Sequence, residues 1–419
     1  MTLFEATRTS LAVDGERMTE LYRWFHSHPE LSLQEHNTAV RIEQELDDIG
    51  IAHFRCGGTG VVGVIENGDG PVVAFRADMD GLPVEEDTGL SFASTARASL
   101  AGDQVPVMHA CGHDIHMTAL LTAARVLCNS LTSWSGTVVL IFQPAEEIAA
   151  GARAMIEDGL WDRAPRPSVV YGQHVMPLAQ GSVGYASGHT MTLATSWRVS
   201  VLGRGSHASQ PHASIDPITL GAHIITRLQT IVSREVDPRS PAVVTVGTFH
   251  AGVKENVIAD CAELTLNFRS FDQDVHEHML SAARRIISSE ASASGAPEPR
   301  ITELYRFPRI YNDPAATEDV MAALSARLGA DAVHRIPPMM HSEDFGLLAE
   351  AISVPIVYWF VNGHQPPRPD GETVQNHSPH FAPAMQPTLG NATEAALEAI
   401  LHGLGTSLST VGDFSALAD

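Results

Sequence analysis

Four short, predominantly apolar runs constrain this chain more than anything else: Val72–Asp78 (VVAFRAD), Thr137–Phe142 (TVVLIF), Ser168–His174 (SVVYGQH) and Val354–Phe360 (VPIVYWF). Each is too short for a helix and too continuous for a half-exposed strand, so each reads as a strand buried on both faces. Helical periodicities lie between them, over Gln34–Ile49, His116–Leu131 and Ala150–Asp158, with Asp319–Leu328 and Thr388–Leu404 further on. Strands alternating with helices predict an α/β fold with a mixed, largely parallel sheet. In such sheets chemistry gathers beyond the carboxyl ends of strands, and Asp78, Glu146, Glu147 and His174 all fall at such ends.

The texture changes between about 190 and 306. Strand, helix, strand, strand, helix and strand follow as Ala194–Leu202, Asp216–Val236, Ala242–His250, Cys261–Ser270, Asp272–Glu290 and Arg300–Tyr305. That order is ferredoxin-like. The predicted architecture is therefore a split catalytic domain, residues 1–188 and 307–419, with an inserted ferredoxin-like α+β domain at 189–306. Gly181–Gly188 and Phe307–Pro314 are the candidate linkers, and Glu85–Val105 reads as a polar loop.

Bulk properties exclude several classes. A net charge of −23, with Lys254 the single lysine, opposes binding to nucleic acid or anionic membrane surfaces. The four cysteines contain no CxxC pair, and the first 21 residues lack a leader pattern, so a cytoplasmic location is expected. The 21 histidines direct attention to metal.

The densest cluster is Met108-His109-Ala110-Cys111-Gly112-His113-Asp114-Ile115-His116. Cysteine and histidine two apart on a glycine loop can face one ion. Glu146-Glu147 follows a buried strand and a Gln-Pro turn; one carboxylate would bind metal while its neighbour takes a proton from water. A solvated acidic turn is the plainer alternative for that pair. Asp78 and Asp80 suit the orientation of ligating histidines, or simple turn-capping. His174 and His377, taken singly, suit structural roles as well as ligation. Together, Cys111, His113, Glu147, His174 and His377 all fall in the split domain, as many donors as a two-metal hydrolytic centre needs. In the inserted module, His207 could stabilise an oxyanion, and Asn256 and Arg269 could hold a carboxylate, or each could be a loop polar group. No G-x-S-x-G, Walker A or H-E-x-x-H motif occurs.

The motifs WFHSHPELSLQE (Trp24–Glu35), RADMDGLPVEE (Arg76–Glu86), MHACGHDIHMTALL (Met108–Leu121), QPAEE (Gln143–Glu147) and GRGSHAS…PH (Gly203–His212) resemble the M20 metallopeptidase family. The resemblance runs from about residue 18 to 400 and is greatest to the branch of hippurate, auxin-conjugate and N-acyl-amino-acid hydrolases. It implies two divalent ions (zinc or manganese, with nickel or cobalt also possible) on Cys111, His113, Glu147, His174 and His377. It further implies Glu146 as general base, Asp78 and Asp80 as orienting groups, and the insert as a lid through which a homodimer forms. His207 would complete the site, and Asn256 with Arg269 would hold the carboxylate of a small N-acyl amino acid. A dipeptidase or carboxypeptidase on the same centre, and a non-catalytic metal- or small-molecule-binding protein, are the rival readings. The chain departs from the family's pattern at Ile148-Ala149-Ala150-Gly151, at His341, at Trp197 and in the length of the Glu86–Met108 stretch. None of these removes a ligand; they bear on specificity.

Overall fold

The computed structural model of the 419-residue chain describes residues 15–178, 181–365, 371 and 373–406. Most of the amino-terminal stretch read for a leader lies outside them. The chain divides into two compact units: Met1–Thr190 with Tyr311–Pro337 and Asp344–Asp419, and Met191–Ile310 with Pro338–Glu343. The Pro338–Glu343 segment is held to the second unit by Arg269, which donates to the Met340 carbonyl and the Ser342 hydroxyl, and by Thr192, which bonds the His341 carbonyl.

The first unit is built on eight strands in the order Ala52–Cys56, Gly60–Asn67, Gly136–Gln143, Val72–Asp78, Val170–Met176, Ile356–Asn362, Val183–Tyr185 and Val333–Arg335. The four strands from Gly136–Gln143 to Ile356–Asn362 are parallel; these are the four apolar runs of the sequence. The sheet is mixed because the Gly60–Asn67 hairpin and the Val183–Tyr185 pairing to Ile356–Asn362 are antiparallel. Helices His113–Asn129 and Met385–Gly403 pack on it, burying Ile115, Leu120, Leu397 and Leu401 with Phe75 and Trp359 in one core. Each such side chain contributes about 1.5–3 kcal/mol when fully buried. No described helix is long and apolar enough to cross a membrane.

Three expectations need correction. The candidate linker Gly181–Gly188 contains a sheet strand, Val183–Tyr185, whose three residues are too few to show a periodicity. The second candidate, Phe307–Pro314, contains the strand Ile310–Asn312, and Asn312 donates to the carbonyls of Ala186 and Tyr358. The supposed loop Glu85–Val105 holds a hairpin, Arg97–Leu100 with Asp103–Pro106. Its two-residue turn, Ala101-Gly102, has positive φ at both positions, the conformation that matches strand twist in tight hairpins.

In the second unit the strand order is Ala242–Ala251, Cys261–Ser270, Leu193–Leu202, Arg300–Phe307, antiparallel throughout. This is the ferredoxin-like arrangement, with helices Pro217–Leu228 and Gln273–Ala293 packed on the sheet. Asp216 and Asp272, the first residues of the expected helical spans, cap their helices. The expected Asp216–Val236 helix instead breaks after Leu228 and continues as a π turn over Ile231–Glu235. Trp197, one of the departures from the family pattern, is fully buried against Phe268, with Arg284 over its ring.

Candidate metal centre

Eight of the residues singled out from the sequence lie in the first unit, and the fold brings them to the carboxyl end of its sheet. The chain reaches Cys111 through a buried loop, turns at Gly112 in a left-handed conformation (φ +81°), and enters the helix at His113. That helix starts three residues earlier than its apolar period shows, so His113 sits on its first turn. His377, also left-handed (φ +68°), is tied to the same loop by its N–H to the Ala110 carbonyl at 2.7 Å.

Cys111 Sγ lies 3.4 Å from His174 Nε2 and 3.3 Å from His377 Nε2. Glu147 Oε1 lies 3.5 Å from His377 Nε2 and 3.8 Å from His113 Nε2. Donors held 2.0–2.3 Å from one ion in a tetrahedral shell are spaced roughly 3.3–3.8 Å apart. Nε2 of His113 and Oε1 of Glu147 are buried without a hydrogen-bond partner. Orphaned polar atoms of this kind are rare in folded proteins. The donor set and its unsatisfied atoms fit divalent cations, with the thiolate favouring zinc-like ions over magnesium or calcium.

The charges point the same way. Burial, reinforced by Glu147, Glu146 and Asp78, pushes the Cys111 thiol well above its ordinary range. Burial likewise raises the Glu147 carboxyl to about 8, against the pull of His113. Burial lowers His113 less than Asp78, Asp80 and Glu147 raise it, leaving it at about 10. Burial and the neighbouring His116 hold His174 neutral. A cation would supply the positive charge that lets the thiol and carboxyl ionise together.

Asp78 and Asp80 do different work. Asp80 is fully buried, accepts the Ser32 hydroxyl at 2.6 Å and the N–H groups of Glu146 and Glu147 at 3.2 and 3.1 Å, and faces His113 Nδ1 at 3.4 Å. It thus joins the Glu146-Glu147 turn to His113. Asp78 bonds Arg76 at 2.6 Å and His116 Nδ1 at 2.5 Å. Glu146 is buried beside Glu147 on a turn whose first residue, Ala145, is left-handed (φ +48°), a conformation costing roughly 1–2 kcal/mol for an L-residue. Gly151 closes that turn; a Cβ there would stand 1.5 Å from the Pro144 carbonyl oxygen.

Several participants escaped the sequence reading. Arg76, fully buried in the apolar run, links Asp78 to Gln143 (2.9 Å) and faces Asp344 at 3.7 Å, while Gln143 also donates to Asp344. A cation inside VVAFRAD was the available signal. Asn376 donates to the Val175 carbonyl at 3.0 Å and lies 3.7 Å from Cys111 Sγ. Asp78, His113, His116 and His174 also place donor atoms within 4.8 Å of one another.

The remaining candidates lie in the second unit. His207 is exposed on a two-stranded ribbon with Val257, its Nδ1 bonded to Ser209 at 2.7 Å, and it lines a cavity with Asn256 and Val253. Arg269 does not line that cavity; its guanidinium already bonds Asn267 at 2.9 Å and the Met340–Ser342 segment.

Residues 74–402 match the family described as Peptidase family M20/M25/M40. The hippurate hydrolase of Campylobacter jejuni is 37% identical over 81% of this chain and 86% of its own. Thermostable carboxypeptidase 1 of Saccharolobus solfataricus is 34% identical over 91% of this chain and 94% of its own. The structure of the Bacillus subtilis YXEP protein, a dinuclear metal binding peptidase from the M20 family, superimposes with a TM-score of 0.75 at 30% identity, covering 93% of this chain and 98% of that one.

Proposed function

Because this chain belongs to peptidase family M20/M25/M40 and is an amide-bond hydrolase of that family, we propose that it cleaves N-acyl amino acids, releasing an amino acid and a carboxylic acid. The observation that carries this reading is the Glu146-Glu147 turn: one carboxylate faces the Cys111–His113–His377 donors, and its neighbour is buried beside it.

In this reading Cys111, His113, Glu147, His174 and His377 hold two divalent ions, zinc or manganese foremost. Such ions, when bound, polarise the scissile carbonyl and acidify water. Glu146 takes the proton from the attacking water and returns it to the leaving nitrogen. Asp80 orients His113 and holds both glutamates through their backbone; Asp78, neutralised by Arg76, keeps His116 in place. His207 stabilises the oxyanion, and Asn256 and Arg269 hold the substrate carboxylate. A homodimer through the second unit and a cytoplasmic location complete the proposal, the latter supported by four cysteines that are all free.

A carboxypeptidase reading is favoured by the Saccharolobus relative. One experiment separates the two: amine release by protein loaded with Mn²⁺ or Zn²⁺, on N-acyl amino acids and on dipeptides. Chelator-sensitive turnover of acyl amino acids is expected. Turnover of dipeptides alone transfers the assignment to a peptidase, and turnover of neither removes both.

A further inference from the structure

The segment Trp24–Glu35 carries part of the family resemblance, yet the proposed chemistry uses none of its side chains. Its last residue, Glu35, is fully buried. Oε1 accepts the Ala145 N–H at 2.8 Å, and Oε2 accepts the Thr59 hydroxyl at 2.7 Å. The next two N–H groups, of Glu146 and Glu147, go to Asp80. Ser32, three residues before Glu35, donates to that same Asp80. Three successive backbone amides therefore point into one pair of buried carboxylates.

Successive amides converging on negative charge form a nest. The left-handed Ala145 within it persists only where its surroundings over-determine it. Among the described residues no basic side chain pairs with Glu35, and these hydrogen bonds offset only part of the cost of burying it: burial, with Asp80 nearby, still raises its carboxyl to about 7. As core filler, an apolar side chain of similar volume would serve better. The position requires an acceptor aimed at Ala145.

We propose that Glu35 is a positioning residue for Glu146, fixing the left-handed turn at Ala145 and through it the direction in which the Glu146 carboxylate leaves the strand end. Glu35 touches neither substrate nor metal. The inference rests on the proposed role of Glu146 as general base.

The test compares Glu35→Ala, Glu35→Gln and the wild type as full chains loaded with Mn²⁺. Glu35→Ala is expected to lose about ten- to a hundredfold in kcat, as small misplacements of reacting groups do. KM should stay within about threefold, the mark of an interaction realised in the transition state. Glu35→Gln should recover most of the turnover: its carbonyl accepts from Ala145 and its amide donates to Thr59, whose hydroxyl rotates. Amide exchange over 145–147 should rise in Glu35→Ala and not in Glu35→Gln. Wild-type kcat in Glu35→Ala, or equal losses in both variants, would overturn the proposal. Should Glu35→Ala not fold, Thr59→Val decides, a lower kcat at steady KM upholding the proposal and an unchanged kcat overturning it. If the wild type turns over no acyl amino acid or dipeptide, the functional reading fails separately, and amide exchange alone decides whether Glu35 fixes the turn.

Discussion

The N–H of Val175 donates to Nε2 of His116 over 2.8 Å, which leaves that nitrogen no lone pair for a cation. The His116 proton therefore sits on Nδ1, against Asp78. His174, whose ring is 4.6 Å away, is arranged oppositely: its Nδ1 donates to the Val175 carbonyl at 2.9 Å, and its Nε2 faces Cys111. The two backbone groups of one residue thus set the tautomers of two neighbouring histidines, suiting one to the proposed ligation and the other to support. His174→Ala is expected to lower bound metal below the wild-type stoichiometry, while His116→Asn keeps both ions. Elemental analysis of the dialysed variants measures this, and loss of an ion from His116→Asn would place His116 in the ligand set.

Replacing Glu146 by Gln removes the proposed proton acceptor and keeps the shape of the turn. Turnover should fall by about 10²–10⁴ with unchanged metal content, the range for loss of general acid–base catalysis. Near-wild-type rates at full metal loading would remove Glu146 from that role.

Metal affinity should rise with pH. Without cations the Glu147 carboxyl is raised to about 8 and the Cys111 thiol higher still, so at neutral pH both carry protons that a cation must displace. Lowering the pH towards 6 should weaken binding, and raising it towards 9 should strengthen it. Calorimetry in buffers of different ionisation enthalpy should record proton release on Zn²⁺ binding; none would mean that these groups are already ionised.

His26 lies between Asp114, at 2.7 Å, and Glu86, at 3.0 Å, all three buried. Burial alone would lower its pKa, but the two carboxylates hold it at about 10. A folded-state value above the unfolded one contributes stability fully below about 6.5 and loses it as pH rises through 10. Thermal stability should therefore decline between pH 7 and 10. His26→Ala, which leaves two buried carboxylates unpaired, should destabilise by roughly 3–5 kcal/mol and flatten that decline. An unaltered melting profile in the variant would remove His26 as its source.

Gly151→Ala forces a Cβ onto the Pro144 carbonyl, where it has 1.5 Å of room. The backbone must give, at a cost of about 1–3 kcal/mol or more. The Glu146-Glu147 turn is what moves, so metal content should fall along with stability. Retained stability with intact metal binding would show that the turn has slack.

Much of this protein was legible along the chain. Continuous apolar runs identified the parallel strands, because strands covered on both faces have no polar side to show. Asp216 and Asp272 marked helix starts, and acids and histidines just past strand ends marked the site. Tertiary structure alone decided the rest. The spacing to Cys111 singled out His113, but what occupies the His116 ring nitrogens, three residues on along the same helix, is decided by Val175, far along the chain. Glu35 meets Ala145 across 110 residues and Gln143 meets Asp344 across 201. The strand Val183–Tyr185 is recognisable only by its neighbours. Sequence patterns encode period and burial, which are properties of a segment. The partner of a buried polar group is a property of the packed whole, since any donor of suitable reach can satisfy it.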